Sequence, residues 1–156
     1  MSVVMNVTCK SPSSHSRSFA EQSCVMESCR VVSCGQVAAD AFRLTLKSAE
    51  ISRSAGPGQF VHIVCGSSAT ESARPAPLLR RPFSVCSADA SRGTIDILFR
   101  VVGAGTEWLS RRSPMDTLSV MGPLGRGFSL PARKGGRPGA VVLAAGGIGV
   151  APLIGW

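Results

Sequence analysis

Tyrosine is absent from the 156 residues, tryptophan occurs only twice, and aromatics make up 5% of the chain. A surface that stacks unpaired bases interleaves aromatic side chains with cations, so sequence-independent single-strand nucleic-acid binding is disfavoured. Long apolar runs are missing too. None reaches the roughly 18 residues that a helix needs to cross a bilayer, which excludes a helical membrane span. Acids are scarce, nine against 17 lysines and arginines, for a formal charge of +8 and a pI near 10.0. That balance suits anionic partners, whether nucleic acid, membrane surface or nucleotide phosphate, without choosing among them. The six cysteines (Cys9, Cys24, Cys29, Cys34, Cys65 and Cys86) include no C-x-x-C pair. A ferredoxin-type loop wraps its cluster with that step, so no metal site is assigned to this chain. These thiols read as small buried hydrophobes of a reducing cytosol.

What is present is material for about one domain. Hydrophobic residues make up 44%, mean hydropathy is +0.22, and 17 glycines with 10 prolines point to many turns. Residues 1–28 are expected to be a disordered extension, because the first 20 carry Lys10, Arg17, many serines and no acid, and lack a secretory apolar segment. From Cys29 the pattern becomes that of a β protein. In Ala41 to Lys47, Phe42, Leu44 and Leu46 alternate with Arg43, Thr45 and Lys47, the period of a half-buried strand. Further strands are expected at Gln59 to Cys65, Arg81 to Ser87, Thr94 to Val102 and Thr117 to Met121. Their spacing suggests a small barrel or sandwich. One short helix interrupts them, with Thr106 as its expected cap and Arg111 and Arg112 in its last turn. Residues 131–139 (PARKGGRPG) read as a linker. Ala140 to Ala144 then looks like a parallel strand buried on both faces, running into a glycine turn and a helix start at Gly146 to Pro152.

Three segments in order suggest chemistry. In Arg80-Arg81-Pro82-Phe83-Ser84, Pro82 keeps Arg81 extended and aims its planar guanidinium outward, suited to a bidentate grip on a pyrophosphate, with the Ser84 hydroxyl on the same side as Pro82. Leu98-Phe99-Arg100 leads to Gly105-Thr106, where a helix start can receive a phosphate. The third is Gly122-Pro123-Leu124-Gly125-Arg126-Gly127-Phe128. Gly146 to Pro152 adds a second glycine turn of the kind that meets a dinucleotide. His15, His62 and Trp108 have no visible catalytic partner, and no catalytic residue is assigned.

Taken together, residues 57–63 (PGQFVHI), 78–85 (LLRRPFSV), 99–110 (FRVVGAGTEWLS), 121–128 (MGPLGRGF) and 146–153 (GGIGVAPL) resemble the electron-transfer subunit family of dihydroorotate dehydrogenase B, within the ferredoxin–NADP reductase superfamily. The resemblance implies a mainly β fold: an antiparallel Greek-key FAD-binding barrel at 29–130, a linker at 131–139, and at 140–156 the first strand-turn-helix of an α/β NAD-binding domain, C-terminally truncated. It implies that Arg81 meets the FAD pyrophosphate with Pro82 beside it, that Ser84 lies near flavin N5, and that Phe83 stacks on the ring. Leu98, Phe99 and Arg100 line the flavin and ribityl side, Gly105 and Thr106 hold the pyrophosphate, and Gly147, Gly149 and Pro152 match an incomplete NAD turn. The family's 2Fe-2S cluster uses cysteines near its C-terminus, and no cysteine of this chain is assigned to it.

The activity so implied is that of an NAD-linked oxidoreductase subunit in pyrimidine biosynthesis. It is cytoplasmic and heterotetrameric with an FMN-containing catalytic subunit, and electrons pass through the cluster to FAD and NAD. The isolated chain is expected to bind FAD weakly or not at all and to support no NAD-linked turnover. Two alternatives stay open. One is the reductase subunit of a hydrogenase, sulfite reductase or oxygenase; the other is a basic nucleic-acid-binding barrel, disfavoured by the lack of an aromatic RNA-binding run.

Overall fold

In a computed structural model, the protein is described at residues 3–7, 24–66, 79–128 and 141–155. The expected linker at 131–139 lies outside the described residues. Strands β1 (Val3–Val7), β2 (Val25–Ala38), β3 (Ala41–Lys47), β4 (Phe60–Val64), β5 (Arg80–Asp89), β6 (Thr94–Arg100), β7 (Thr117–Leu124) and β8 (Val141–Ala145) are joined by helices α1 (Ala49–Ser54) and α2 (Ala104–Ser110). A 3-10 helix, Gly147–Leu153, follows β8.

Six strands close into a barrel in the order β2-β3-β6-β5-β4-β7, every pairing antiparallel, which is a Greek-key path. Closure leaves each of the six strands paired with a neighbour on both sides over at least part of its length. Period-2 alternation sends Leu44 and Leu46, Val61 and Ile63, Ile95 and Ile97, and Leu118 and Val120 inward, all 2% exposed or less. Each such side chain contributes on the order of 1.5–3 kcal/mol through burial. The mainly β Greek-key barrel expected from the sequence is therefore present.

Several boundaries differ from expectation. β2 begins at Val25 rather than Cys29, because Val25, Glu27, Cys29 and Val31 form its inward row and the strand pairs with β7 from Val25–Gly122 onward. Val3–Val7, inside the segment expected to be disordered, pairs antiparallel with β8. That pairing also changes the reading of β8: its partner is antiparallel, and Val142 is 75% exposed rather than buried on both faces. α1 is a helix beyond the single one expected; Ser48 caps it, its Oγ accepting from Ile51 N at 3.3 Å. In α2 the N-cap is Gly103, and Thr106 is the third helical residue, its hydroxyl reaching back to accept from Gly103 N and Val102 N.

Candidate functional site

The feature that defines the site is a break in one ladder. β5 pairs with β4 along Arg80 to Ser84 and with β6 along Val85 to Asp89, with a bulge between Val85 and Ser87. The β5–β6 pairing starts at Asp89–Thr94 and stops at Val85–Ile97. β5 and β6 run in opposite directions, so Arg81 to Ser84 and Leu98 to Arg100 leave the break side by side, and neither stretch is paired with the other. Each is held from its far side, Arg81 to Ser84 by β4 and Leu98 to Arg100 by β3. Two backbone edges with unspent amide and carbonyl groups thus border one gap, and such groups call for a polar partner. The chain leaves β6 at that end and enters α2 within four residues. The first intrahelical bond of α2 is Glu107 N to Gly103 O, which leaves the amides of Ala104, Gly105 and Thr106 without a helical acceptor.

The expected site residues divide by what their side chains do. Arg81 shares the inward row of β5 with Phe83 and Val85, so it does not point outward beside Pro82 as expected. It sits half-buried at the barrel's end, and its guanidinium donates only to Leu79 O, at 3.4 Å, among the described residues. No carboxylate among the described residues pairs with it. Ser84 lies opposite Phe60 on the outer row and makes no side-chain hydrogen bond to a described residue. Phe83 turns its ring into the core, 8% exposed and in a T-shaped contact with Phe99 at 5.9 Å, so the ring expected to stack on the flavin is packed in the core. Phe99 in turn stacks on Phe42 at 5.8 Å. Leu98 is half-buried, and exposed Arg100 is committed to Asp40, with Nε 2.6 Å from Oδ2. The Thr106 hydroxyl is fully used in closing its turn, so it shapes the helix start.

Gly147, Gly149 and Pro152 fall in the 3-10 helix, which packs on β5 and β6 through Ala151, 2% exposed. Beyond it, Gly155 approaches Cys86 O so closely that a Cβ there would stand 3.2 Å away. The glycine turn is thereby brought to the strand that carries Ser84. A Cβ at Gly147 or Gly149 would meet nothing within 4 Å, so both face open space.

Two residues to which the sequence reading gave no role of their own frame the site. Arg80, the first of the doubled arginines, is laid across the sheet, donating to Ser119 O at 3.1 Å and Ser119 Oγ at 2.8 Å. Gln59 is buried at 1% beside the break and hydrogen-bonded on both sides. Its signal in the sequence was a lone amide between a Pro-Gly turn and an apolar strand.

Around Asp96 the polar groups are spent on one another. A hollow on the outer surface of β3 and β6 contains Asp96, whose carboxylate accepts from Thr45 Oγ1 at 2.6 Å, from Ser87 Oγ at 2.7 Å and from Arg43. Burial pushes that carboxyl up, but the three donors outweigh it and hold it below the usual carboxylate range. The Cys29 and Cys65 thiols are pushed up to about 11, chiefly by burial. No three His, Cys, Asp or Glu side chains gather among the described residues to hold a metal ion.

The closed antiparallel barrel is similar in fold to ferredoxin-reductase-type oxidoreductases. An NADH-dependent reduced ferredoxin-NADP oxidoreductase of flavin-based electron bifurcation superposes with TM-score 0.56 and 29% identity, over 65% of this chain and 34% of that one. No family model matches the chain. In sequence it is 45% identical over 126 residues to the dihydroorotate dehydrogenase B (NAD(+)) electron transfer subunit of Desulforamulus reducens, covering 80% of this chain and 44% of that one. The subunit of the same name from Geobacillus thermodenitrificans is 42% identical over 123 residues, 79% of this chain and 45% of that one. The chain is thus a relative of these oxidoreductase subunits and spans less than half their length.

Proposed function

We propose that the gap between Arg81–Ser84 and Leu98–Arg100 holds the isoalloxazine and ribityl part of FAD, and that the chain is the flavin-bearing part of a dihydroorotate dehydrogenase B electron transfer subunit. The observation that carries this reading is the ladder's end at Val85–Ile97, which leaves two backbone edges unpaired with each other beside an arginine that has no carboxylate partner among the described residues. The residues fit the group. Amides and carbonyls of the two edges match the polar rim of a flavin, and the Ser84 hydroxyl is available to a ring nitrogen. The Arg81 guanidinium, with the amides of Ala104 to Thr106 that have no helical acceptor, suits a diphosphate. Phe83 contributes backbone to the gap and its ring to the wall behind it.

Bound FAD supplies the exchange between paired and single electrons, and the protein's share is to hold and orient it. No general base is required of this chain. In the proposed scheme dihydroorotate is oxidised on a separate FMN-containing catalytic subunit in the cytoplasm, and NAD⁺ is reduced to NADH at the turn of Gly147, Gly149 and Pro152. A 2Fe-2S cluster, with ligands outside this chain's described residues, joins the two in a heterotetramer.

Titrating the purified chain with FAD and following flavin fluorescence tests the reading. Because the barrel closes on six strands of this chain, the expectation narrows from weak or absent binding to weak but saturable binding, reduced on the order of tenfold or more in Arg81→Ala, since a charge-assisted hydrogen bond contributes about 1.5–3 kcal/mol. Wild-type chain that leaves the flavin signal unchanged would contradict it. NADH-dependent dye reduction by this chain with added FAD is expected to be absent, and robust turnover would overturn that part of the scheme.

A further inference from the structure

Gln59 is an uncommon residue to find at 1% exposure in a barrel whose buried side chains are mostly apolar. A buried amide costs stability unless both its ends are hydrogen-bonded in good geometry. Here both ends are engaged, and neither partner is in the barrel's middle. Gly56 N donates to Gln59 Oε1 at 2.8 Å, and Gln59 Nε2 donates to Gly125 O at 2.9 Å. The backbone joins in, because Gln59 O accepts from Val85 N at 2.9 Å.

Those three partners surround one place. Val85 is the last β5 residue paired with β6 and follows Ser84 directly. Gly125 follows Leu124, which lies opposite Phe60, and Phe60 lies opposite Ser84. The two glycine turns are packed as one unit. Phe128 N donates to Pro57 O at 2.9 Å, and Gly58 and Gly125, with φ of 85° and 77°, lie under the rings of Phe128 and Phe60. Gln59 is the polar link between these turns and the point where β5 leaves β6. A satisfied buried amide accepts few alternative arrangements, so it pins register more strictly than a methyl group would.

We propose that Gln59 is the positioning residue of the flavin gap: it fixes where β5 parts from β6, and so the separation of the edges Arg81–Ser84 and Leu98–Arg100. The proposal rests on the reading that this gap holds FAD. It also gives a role to the glycine-rich run at 121–128, which no cofactor contact has claimed. The run is the second anchor of the Gln59 amide.

The test has two arms on the purified chain, comparing Gln59→Leu with Ile51→Ala, a core truncation in α1 that lies outside both edges. Without FAD, peptide-level hydrogen exchange is expected to rise in residues 80–86 of Gln59→Leu, and to leave that segment unchanged in Ile51→Ala at matched loss of Tm. With FAD, Gln59→Leu is expected to bind about tenfold more weakly and to lose the wild-type perturbation of the flavin absorption bands, while Ile51→Ala keeps both. Should Gln59→Leu not fold, Gln59→Met takes its place, since it keeps the side chain's length and gives up both hydrogen bonds. Equal exchange and equal affinity in the two variants overturn the proposal, as do losses that simply follow Tm. If exchange behaves as expected but the wild type binds no FAD, Gln59 still sets the edge and it is the flavin reading that falls.

Discussion

Arg80 and Arg81 stand next to each other in β5, and one step along a strand gives their guanidinium groups opposite employments. Arg80 is spent on Ser119 across the sheet, while Arg81 keeps its donors at the barrel's end. Arg80→Ala should therefore lower Tm, with a cost of about 1–3 kcal/mol for the abandoned acceptors, and leave FAD affinity close to wild type. Arg81→Ala should do the reverse, and thermal melts beside flavin titrations read out both. The doubled arginine was legible in the sequence as a motif. The direction of each side chain was not, because Pro82 was read as turning Arg81 outward when strand alternation puts it on the row of Phe83 and Val85. Asp96 supplies a pH test at the same scale. Its carboxyl is held below its ordinary value, so its stabilising effect is complete above the unfolded carboxylate range near pH 4 and is lost as pH falls through the lower folded value. Asp96→Asn should melt lower at neutral pH, and the gap to wild type should narrow in acid.

Among the elements, the strands were readable wherever one face meets the core and the other meets water, as in β3 and β6, whose inward rows match the alternation residue for residue. α1 escaped notice because six residues hold too little periodicity to register; its signal was the cap, Ser48, with Glu50 in the first turn. Ser48→Ala removes that cap and a hydrogen bond from Ser48 Oγ to Glu27 Oε2, so a loss of about 1 kcal/mol is expected in denaturant melts. The ladder break in β5 was also beyond the sequence, since a bulge leaves no mark on hydrophobic alternation except one skipped step. Gly125 tests the turn that backs it. A Cβ there would stand 2.7 Å from the Phe60 ring at a φ of 77°, so Gly125→Ala should destabilise by about 1–3 kcal/mol and weaken FAD binding with it.

At the scale of the whole molecule, a self-contained barrel carries a small two-stranded appendage. Among the described residues β1 pairs only with β8, so deleting residues 1–8 should leave the barrel's Tm unchanged while hydrogen exchange at 141–145 becomes fast. No helix among the described residues is long and apolar enough to cross a membrane. The barrel's closure, the ladder break and the start of α2 combine at one end, and the Arg43–Asp96 hollow on the outer surface of β3 and β6 has its polar groups satisfied internally. The most direct measurement is residue-resolved amide chemical shifts of the isotope-labelled chain with and without FAD. The account predicts perturbations concentrated at residues 81–84, 98–100 and 104–106. Shifts gathered around Arg43, Ser87 and Asp96 instead, or none at saturating flavin, would contradict it.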